Sequence, residues 1–267
     1  MAVRLNPYIF REYDIRGLVG KDLTPEGAEV LGKAFGTYIQ GLSGKRICVG
    51  GDNRESTAEL KPAFIRGLRD TGCQATNIGL SLSPMMYFAV CYYGFDGGVN
   101  VTGSHNPKDY NGFKMVLNGR AIFGEDIQGL RRRMENGDLP TRAGGAVRTL
   151  DVGDTYRDRI VGDVKLARPI KIVMDCGNGV AGASAPALFR ALGCEVIELF
   201  SEVDGEFPNH HPDPSKPENL RWLIEALQGS DAELGLAFDG DGDRLGVVTK
   251  DGEIIFPDRQ LMLFAAD

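Results

Sequence analysis

Residues 45–79 and 170–200 carry the same features in the same order: strand, Gly-rich polar loop, helix, Gly-Cys, strand. Pro62-Ala63-Phe64 stands where Pro186-Ala187-Leu188 stands, near the start of each helix. Gly72-Cys73 and Gly193-Cys194 follow the helix ends. Glycine suits the left-handed C-terminal position because it has no Cβ to clash. Strands alternating with amphipathic helices specify βα units and a mainly parallel sheet. The match continues downstream. Residues 97–122 and 234–255 each read strand, polar loop, strand, tight turn, strand, with Asn118-Gly119 and Asp251-Gly252 as the hairpin signals. Such a repeat leaves few folds open. It predicts an α/β chain of two tandem domains of the same topology, each a mixed, mainly parallel sheet flanked by helices, over residues 1–150 and 151–256.

The 267 residues are ample for two such domains. Between the copies, the Gly, Pro and Thr content of residues 135–153 reads as a linker. Thr24-Pro25 announces a helix start. Tyr156, Ile160 and Val164 share one helical face, and Leu220, Leu223, Ile224 and Leu227 form a core stripe. A formal net charge of −7 argues against nucleic acid or an anionic membrane as the main partner. No apolar run approaches a membrane span, and residues 1–14 contain no signal-peptide core. The five cysteines, Cys48, Cys73, Cys91, Cys176 and Cys194, are scattered without a C-x-x-C pair, and read as reduced core residues. The expected location is therefore cytoplasmic.

Asp239-Gly240-Asp241-Gly242-Asp243-Arg244 is the strongest local signal, three carboxylates alternating with glycines between two apolar runs. Extended residues i, i+2 and i+4 point the same way. Glycine lets the backbone fold so that three hard oxygens meet one cation. Without a cation, charges this close repel. A solvated hairpin turn is the alternative, although one Asp-Gly would suffice for that. An EF-hand fails, because its sixth and twelfth positions, counted from Asp239, would be Arg244 and Lys250 instead of glycine and glutamate. The arginine suggests an anion beside the metal, which Mg²⁺ with carboxylates and phosphate fits better.

Ser104 and His105 sit in the loop Thr102-Gly103-Ser104-His105-Asn106-Pro107. Adjacent loop residues seldom aim at each other, so a Ser–His hydrolase pair within the dipeptide is not expected. The G-x-S-x-G elbow is also missing. An incidental serine in a Gly and Asn-Pro turn is the alternative. Lys114 adds a donor for phosphate or for a leaving oxygen. The serine and aspartate loops hold equivalent places in the two copies. Ligands favour loops at strand ends in open α/β sheets. The two are thus expected to meet at one cleft, with the aspartate loop, not His105, as the main partner of Ser104.

Gly177-Asn178-Gly179-Val180-Ala181-Gly182 is a formal G-x-G-x-x-G after a strand, with Glu198 or Glu202 near the place of a ribose-binding acid. That makes a dinucleotide-binding oxidoreductase domain a rival reading, although Gly50-Gly51-Asp52-Asn53-Arg54 in the first copy has no such fingerprint. Residues 10–17 are dense in charge and read as a solvated edge segment or as part of a site. His210 and His211 lie in a proline-rich structural loop, and Arg131-Arg132-Arg133 on an exposed helix face.

Assembled, these segments resemble the α-D-phosphohexomutase superfamily, most closely its bacterial phosphomannomutase/phosphoglucomutase branch. "FREYDIRG" at 10–17, "TGSHNP" at 102–107, "NGFK" at 111–114, "DCGNGVAG" at 175–182, "EVDGEFPNHHPDP" at 202–214 and "AFDGDGDR" at 237–244 carry the resemblance. It implies four domains, the first three of one α/β topology. Residues 1–150 would be domain 1 with a phosphoserine loop, 151–256 domain 2 with a metal loop, and 257–267 the start of a truncated domain 3. It implies a phosphoserine at Ser104, and Mg²⁺ held by Asp239, Asp241, Asp243 and that phosphate. Tyr13, Arg16, Asn106, Lys114 and Arg244 would face phosphate or substrate, with His105 as an acid/base or orienting group. The implied reaction interconverts the 1- and 6-phosphates of mannose or glucose through glucose 1,6-bisphosphate or mannose 1,6-bisphosphate, with hexose phosphates as the partners. A non-catalytic metal- or sugar-phosphate-binding module is the alternative. The family's G-E-x-S-G-H and R-x-S-x-T-x-P motifs do not occur. The chain is therefore expected to be the N-terminal half of a longer mutase, lacking domains 3 and 4 and most isomerase activity. Leu261 to Ala266, apolar all round, is expected as a buried helix.

Overall fold

After the short strand β1 (Ile15–Leu18), helix α1 (Pro25–Gly41) starts where its cap predicts: Thr24 Oγ1 accepts the Gly27 N–H at 3.1 Å. A computed structural model describes residues 5–266. Strand β2 (Arg46–Gly51) is buried at every residue after Arg46, as a parallel strand covered by helices on both faces must be. Helix α2 (Thr57–Asp70) returns the chain to β3 (Gln74–Leu80), parallel to β2 with Ile47 opposite Ala75. Helix α3 (Ser83–Tyr92) then leads to β4 (Gly97–Val101), parallel to β2 on its other side, with Val49 opposite Val99. Strand β5 (Tyr110–Leu117) runs antiparallel to β4, and Asn118-Gly119, both at positive φ, turn into β6 (Arg120–Ala121). Helix α4 (Glu125–Asn136) and strand β7 (Ala146–Thr149) complete a sheet ordered β1-β5-β4-β2-β3-β7, with β6 on β5.

The chain divides into two units between Val152 and Gly153. The second begins with α5 (Gly153–Asp163) and β8 (Lys171–Asp175). A 3₁₀ turn at Val180–Ala183, helix α6 (Ala185–Ala191) and strand β9 (Glu195–Leu199) follow. A second 3₁₀ turn at Pro217–Leu220 leads into α7 (Arg221–Gln228), β10 (Leu234–Phe238), β11 (Leu245–Thr249), β12 (Ile254–Ile255) and α8 (Pro257–Ala266). Its sheet order is β12-β11-β10-β8-β9. The repeat is therefore topological. β8 pairs parallel with β9 and β10, as β2 does with β3 and β4, and β10–β11 is antiparallel like β4–β5.

In the first core, Phe64 joins Phe35 and Phe113, with ring centroids 6.2 and 5.3 Å away. The second core is smaller and uses Leu220, Leu223 and Leu227 of the predicted stripe, with Val173 and Val248. The structure corrects four expectations. The linker is not free chain, because its residues 146–149 extend the first sheet as β7, Gln74 opposite Ala146. Cys48, Cys73 and Cys176 are buried, but Cys91 is exposed. Burial pushes the Cys48 and Cys176 thiols up to about 12. Helix α5 carries Tyr156 and Ile160, both half-buried, but it ends at Asp163, so Val164 lies just outside it and is exposed. Leu261, Met262, Leu263 and Phe264 on α8 are each at least 66 % exposed, so that helix is not buried.

Candidate functional site

The loop between β4 and β5 turns on Ser104. Its φ of +49° lies in the left-handed region, costly for a side chain bearing Cβ. Thr102 Oγ1 accepts the Ser104 N–H at 2.8 Å, and the residue is 1 % exposed. This backbone turns Oγ toward its neighbour, 3.2 Å from His105 Nδ1. The expectation that adjacency keeps the imidazole off the serine is thus wrong, because it assumed ordinary backbone angles. Lys114, opposite Asn100 on β5, brings Nζ within 3.4 Å of Oγ. Asn106 is occupied in shaping the loop, its N–H and Nδ2 both donating to the Gly103 carbonyl at 2.9 and 3.0 Å.

Arg16 lies on β1 opposite Gly112 of β5. It is buried and ion-paired with Asp14 at 2.5 Å, and its Nε lacks a hydrogen-bond partner among the described residues. Tyr13 is exposed.

The polar loop after β2, which carries no phosphate-binding fingerprint, grips the serine loop. Arg54 Nη2 donates to the carbonyls of Ser104 (2.9 Å) and Asn106 (2.7 Å), and Nη1 to those of Pro107 (2.6 Å) and Tyr110 (3.1 Å). Asp52 accepts from Arg54 Nε at 3.1 Å, from Gly103 N–H at 2.9 Å and from Thr57 Oγ1 at 2.7 Å. The signal available in sequence was position alone: this is the loop between β2 and α2, at a strand end, where ligand-bearing loops collect.

In the second unit the aspartate loop joins β10 to β11. Asp239 Oδ1 accepts the N–H groups of Asp243 and Arg244, both at 3.0 Å, while Gly242 takes a φ of +69°. One carboxylate oxygen from each of Asp239, Asp241 and Asp243 lies within 4.8 Å of the others. Asp239 and Asp241 are fully buried, Asp243 exposed. Three hard oxygens converging at a partly dry position suit a hard divalent cation such as Mg²⁺. Arg244 is half-exposed, with Nη1 3.9 Å from Asp213 Oδ1. It borders a cavity of about 450 Å³ lined by Pro214, Leu245, Phe256 and Phe264.

The G-x-G-x-x-G segment does not form a dinucleotide site. A Cβ on Gly179 would stand 2.8 Å from the Gly240 carbonyl, and one on Gly182 2.1 Å from that of Ser201. These glycines admit neighbouring backbone, including the aspartate loop, and the fingerprint's long helix is replaced by a 3₁₀ turn and seven residues of α6.

In the proline-rich loop, both ring nitrogens of His210 face protein groups. His210 is stacked on Trp222, with ring centroids 5.3 Å apart. Nδ1 lies 3.0 Å from the His211 carbonyl, and Nε2 3.1 and 3.0 Å from the two oxygens of Asp175. The His211 carbonyl and the ionised Asp175 carboxylate are acceptors, so the surroundings favour the doubly protonated, cationic ring. Burial opposes that charge most strongly. The Asp175 hydrogen bond and charge, with the His211 carbonyl, outweigh it and raise the pKa above its ordinary 6.5. Arg131 and Arg132 ion-pair within α4 with Glu135 and Glu125, and Arg133 with Asp138 just beyond its end.

Residues 7–141 match the family model "Phosphoglucomutase/phosphomannomutase, alpha/beta/alpha domain I", and residues 154–252 match domain II of the same family. The chain is 55 % identical over 260 residues to a phosphoglucomutase of Neisseria gonorrhoeae, covering 97 % of this chain and 56 % of that protein. It is 52 % identical over 266 residues to a phosphomannomutase/phosphoglucomutase of Pseudomonas aeruginosa, covering 100 % of this chain and 57 % of that one. A crystal structure of a phosphoglucomutase/phosphomannomutase family protein from Burkholderia thailandensis superposes with a TM-score of 0.94 at 52 % identity, over 98 % of this chain and 59 % of that chain. The chain thus spans little more than half the length of these relatives. Its two repeated α/β units, with the serine loop on one and the aspartate loop on the other, belong to the phosphoglucomutase/phosphomannomutase family.

Proposed function

We propose that the chain serves a phosphohexomutase reaction, the reversible movement of phosphate between the 1- and 6-positions of mannose or glucose phosphates, with Ser104 as phosphate carrier. The main support is one arrangement: a buried serine hydroxyl with His105 Nδ1 at 3.2 Å and Lys114 Nζ at 3.4 Å. A hydroxyl of the hexose phosphate attacks phosphorus on phosphorylated Ser104, and the P–Oγ bond breaks. Lys114, which has only donors to offer, protonates the departing Oγ, and His105 takes the proton of the attacking hydroxyl. The hexose now carries two phosphates, as glucose or mannose 1,6-bisphosphate. The reverse step with its other phosphate restores phosphorylated Ser104.

Asp239, Asp241 and Asp243 are the proposed Mg²⁺ ligands, three carboxylate oxygens suited to a hard divalent cation that would supply charge neutralisation for phosphate. Arg16, through its spare Nε, and half-exposed Arg244 are the proposed phosphate contacts. Tyr13 and Asn106 are assigned to the substrate side, Asn106 through its hold on the loop.

The test is to incubate the chain with Mg²⁺ and glucose 1,6-bisphosphate and map phosphate by mass spectrometry. Label is expected on Ser104 and none in Ser104→Ala; label that survives the substitution defeats the reading. Isomerisation in a coupled assay is expected to be weak, since the sugar-reading and distal phosphate motifs are absent from these residues.

A further inference from the structure

We propose that Arg54, held by Asp52, is a positioning residue that sets the backbone of the serine loop and thereby aims Ser104 Oγ. This rests on the reading of Ser104 as the phosphate carrier. Four loop carbonyls, those of Ser104, Asn106, Pro107 and Tyr110, converge on one guanidinium. Asp52 does two things at once. It takes Arg54 Nε, and it accepts the N–H of Gly103, the residue just before the serine. The pair thus grips the loop on both sides of Ser104. Its side chains are only 1 % and 2 % exposed, so water cannot substitute for either partner. The contact is also close enough to dictate Gly103: a Cβ there would stand 2.3 Å from Arg54 Nε and 2.4 Å from Cζ.

A left-handed serine persists only where surroundings over-determine it, and the Asp52–Arg54 grip supplies that constraint. Released, Ser104 would return toward ordinary backbone angles and carry Oγ away from His105 and Lys114. Lysine cannot replace the arginine, because its ammonium offers three mobile donors instead of a planar fork with five.

Three variants test this: Arg54→Lys, Arg54→Ala and Gly103→Ala, the last pressing on the guanidinium without removing a charge. Each is followed by the rate of Ser104 labelling from glucose 1,6-bisphosphate with Mg²⁺, and by hydrogen exchange of the peptide spanning residues 102–110. Thermal unfolding reports the fold. Labelling is expected to fall about tenfold to a hundredfold, the scale of an ångström-level misplacement. Exchange in 102–110 should rise while the melting temperature of Arg54→Lys stays near that of the unaltered chain. Added guanidinium ion should restore labelling to Arg54→Ala and not speed the unaltered chain, a response that a general packing role would not give. Labelling and loop exchange in Arg54→Lys equal to those of the unaltered chain overturn the proposal. So does loss of folding in all three variants, which would assign the pair to the whole unit. If the unaltered chain takes no label, the phosphate-carrier reading fails separately. Loop exchange then decides: a rise in folded Arg54→Lys upholds the backbone role, and no change overturns it.

Discussion

At the scale of single residues, the structure depends on charges placed where water is scarce. His210 has an acceptor facing each ring nitrogen, which favours its charged form. Its pKa is raised on folding, so its contribution is fully present below about 6.5, the unfolded value, and is lost as pH rises through the folded value. Thermal unfolding followed against pH should show stability falling across that window. His210→Gln should flatten the dependence, and an unchanged slope in the variant would assign it elsewhere. The same scale shows why sequence missed Arg54. Its loop partners stand 50 to 56 positions away, and nothing local distinguishes it from an exposed arginine. Aspartates repeated every second residue, by contrast, mark themselves.

Between elements, helix α1 meets helix α2 through glycine. A Cβ on Gly32 would fall 2.2 Å from the Phe64 carbonyl, and one on Gly67 2.0 Å from that of Glu29. Backbone cannot rotate aside as a side chain can. Gly67→Ala should destabilise by about 1–3 kcal/mol through overpacking, despite the roughly 1 kcal/mol that alanine contributes in a helix. Gly162→Ala on α5, where a Cβ meets nothing within 4 Å, should instead be neutral or stabilising by up to about 1 kcal/mol. Urea unfolding of the two variants separates crowding from propensity; equal effects would refute the contrast. The cap at Thr24 and the stripe at Leu220, Leu223 and Leu227 were legible because both follow from spacing within a few residues. Strand β7 was not. Its Gly- and Thr-rich surroundings read as linker until β3 offered an open edge.

For the molecule as a whole, the proposed Mg²⁺ site at the three clustered carboxylates would link folding to the cation. Mg²⁺ bound only by the native form should raise the melting temperature, by the equivalent of about 2.7 kcal/mol at a hundredfold excess over Kd. Asp241→Asn should abolish the rise. A shift that survives in the variant would place the ion elsewhere. No helix among the described residues is long and apolar enough to cross a membrane.

By itself the sequence determined the repeat, the succession of strands and helices along each copy and the identity of the serine and aspartate loops, while the order of the strands across each sheet came from the fold. Hydrophobic period, helix-end glycines and turn pairs act over short distances and are written locally. Tertiary structure alone decided how those loops are aimed. The left-handed turn at Ser104, the approach of His105 and the grip of Asp52 and Arg54 come from chain segments that meet only after folding. It also decided which apolar residues stay outside: Leu261 and Met262 share composition with the core but remain largely exposed. Local pattern states what a segment can form, and contact between distant segments settles where its side chains point.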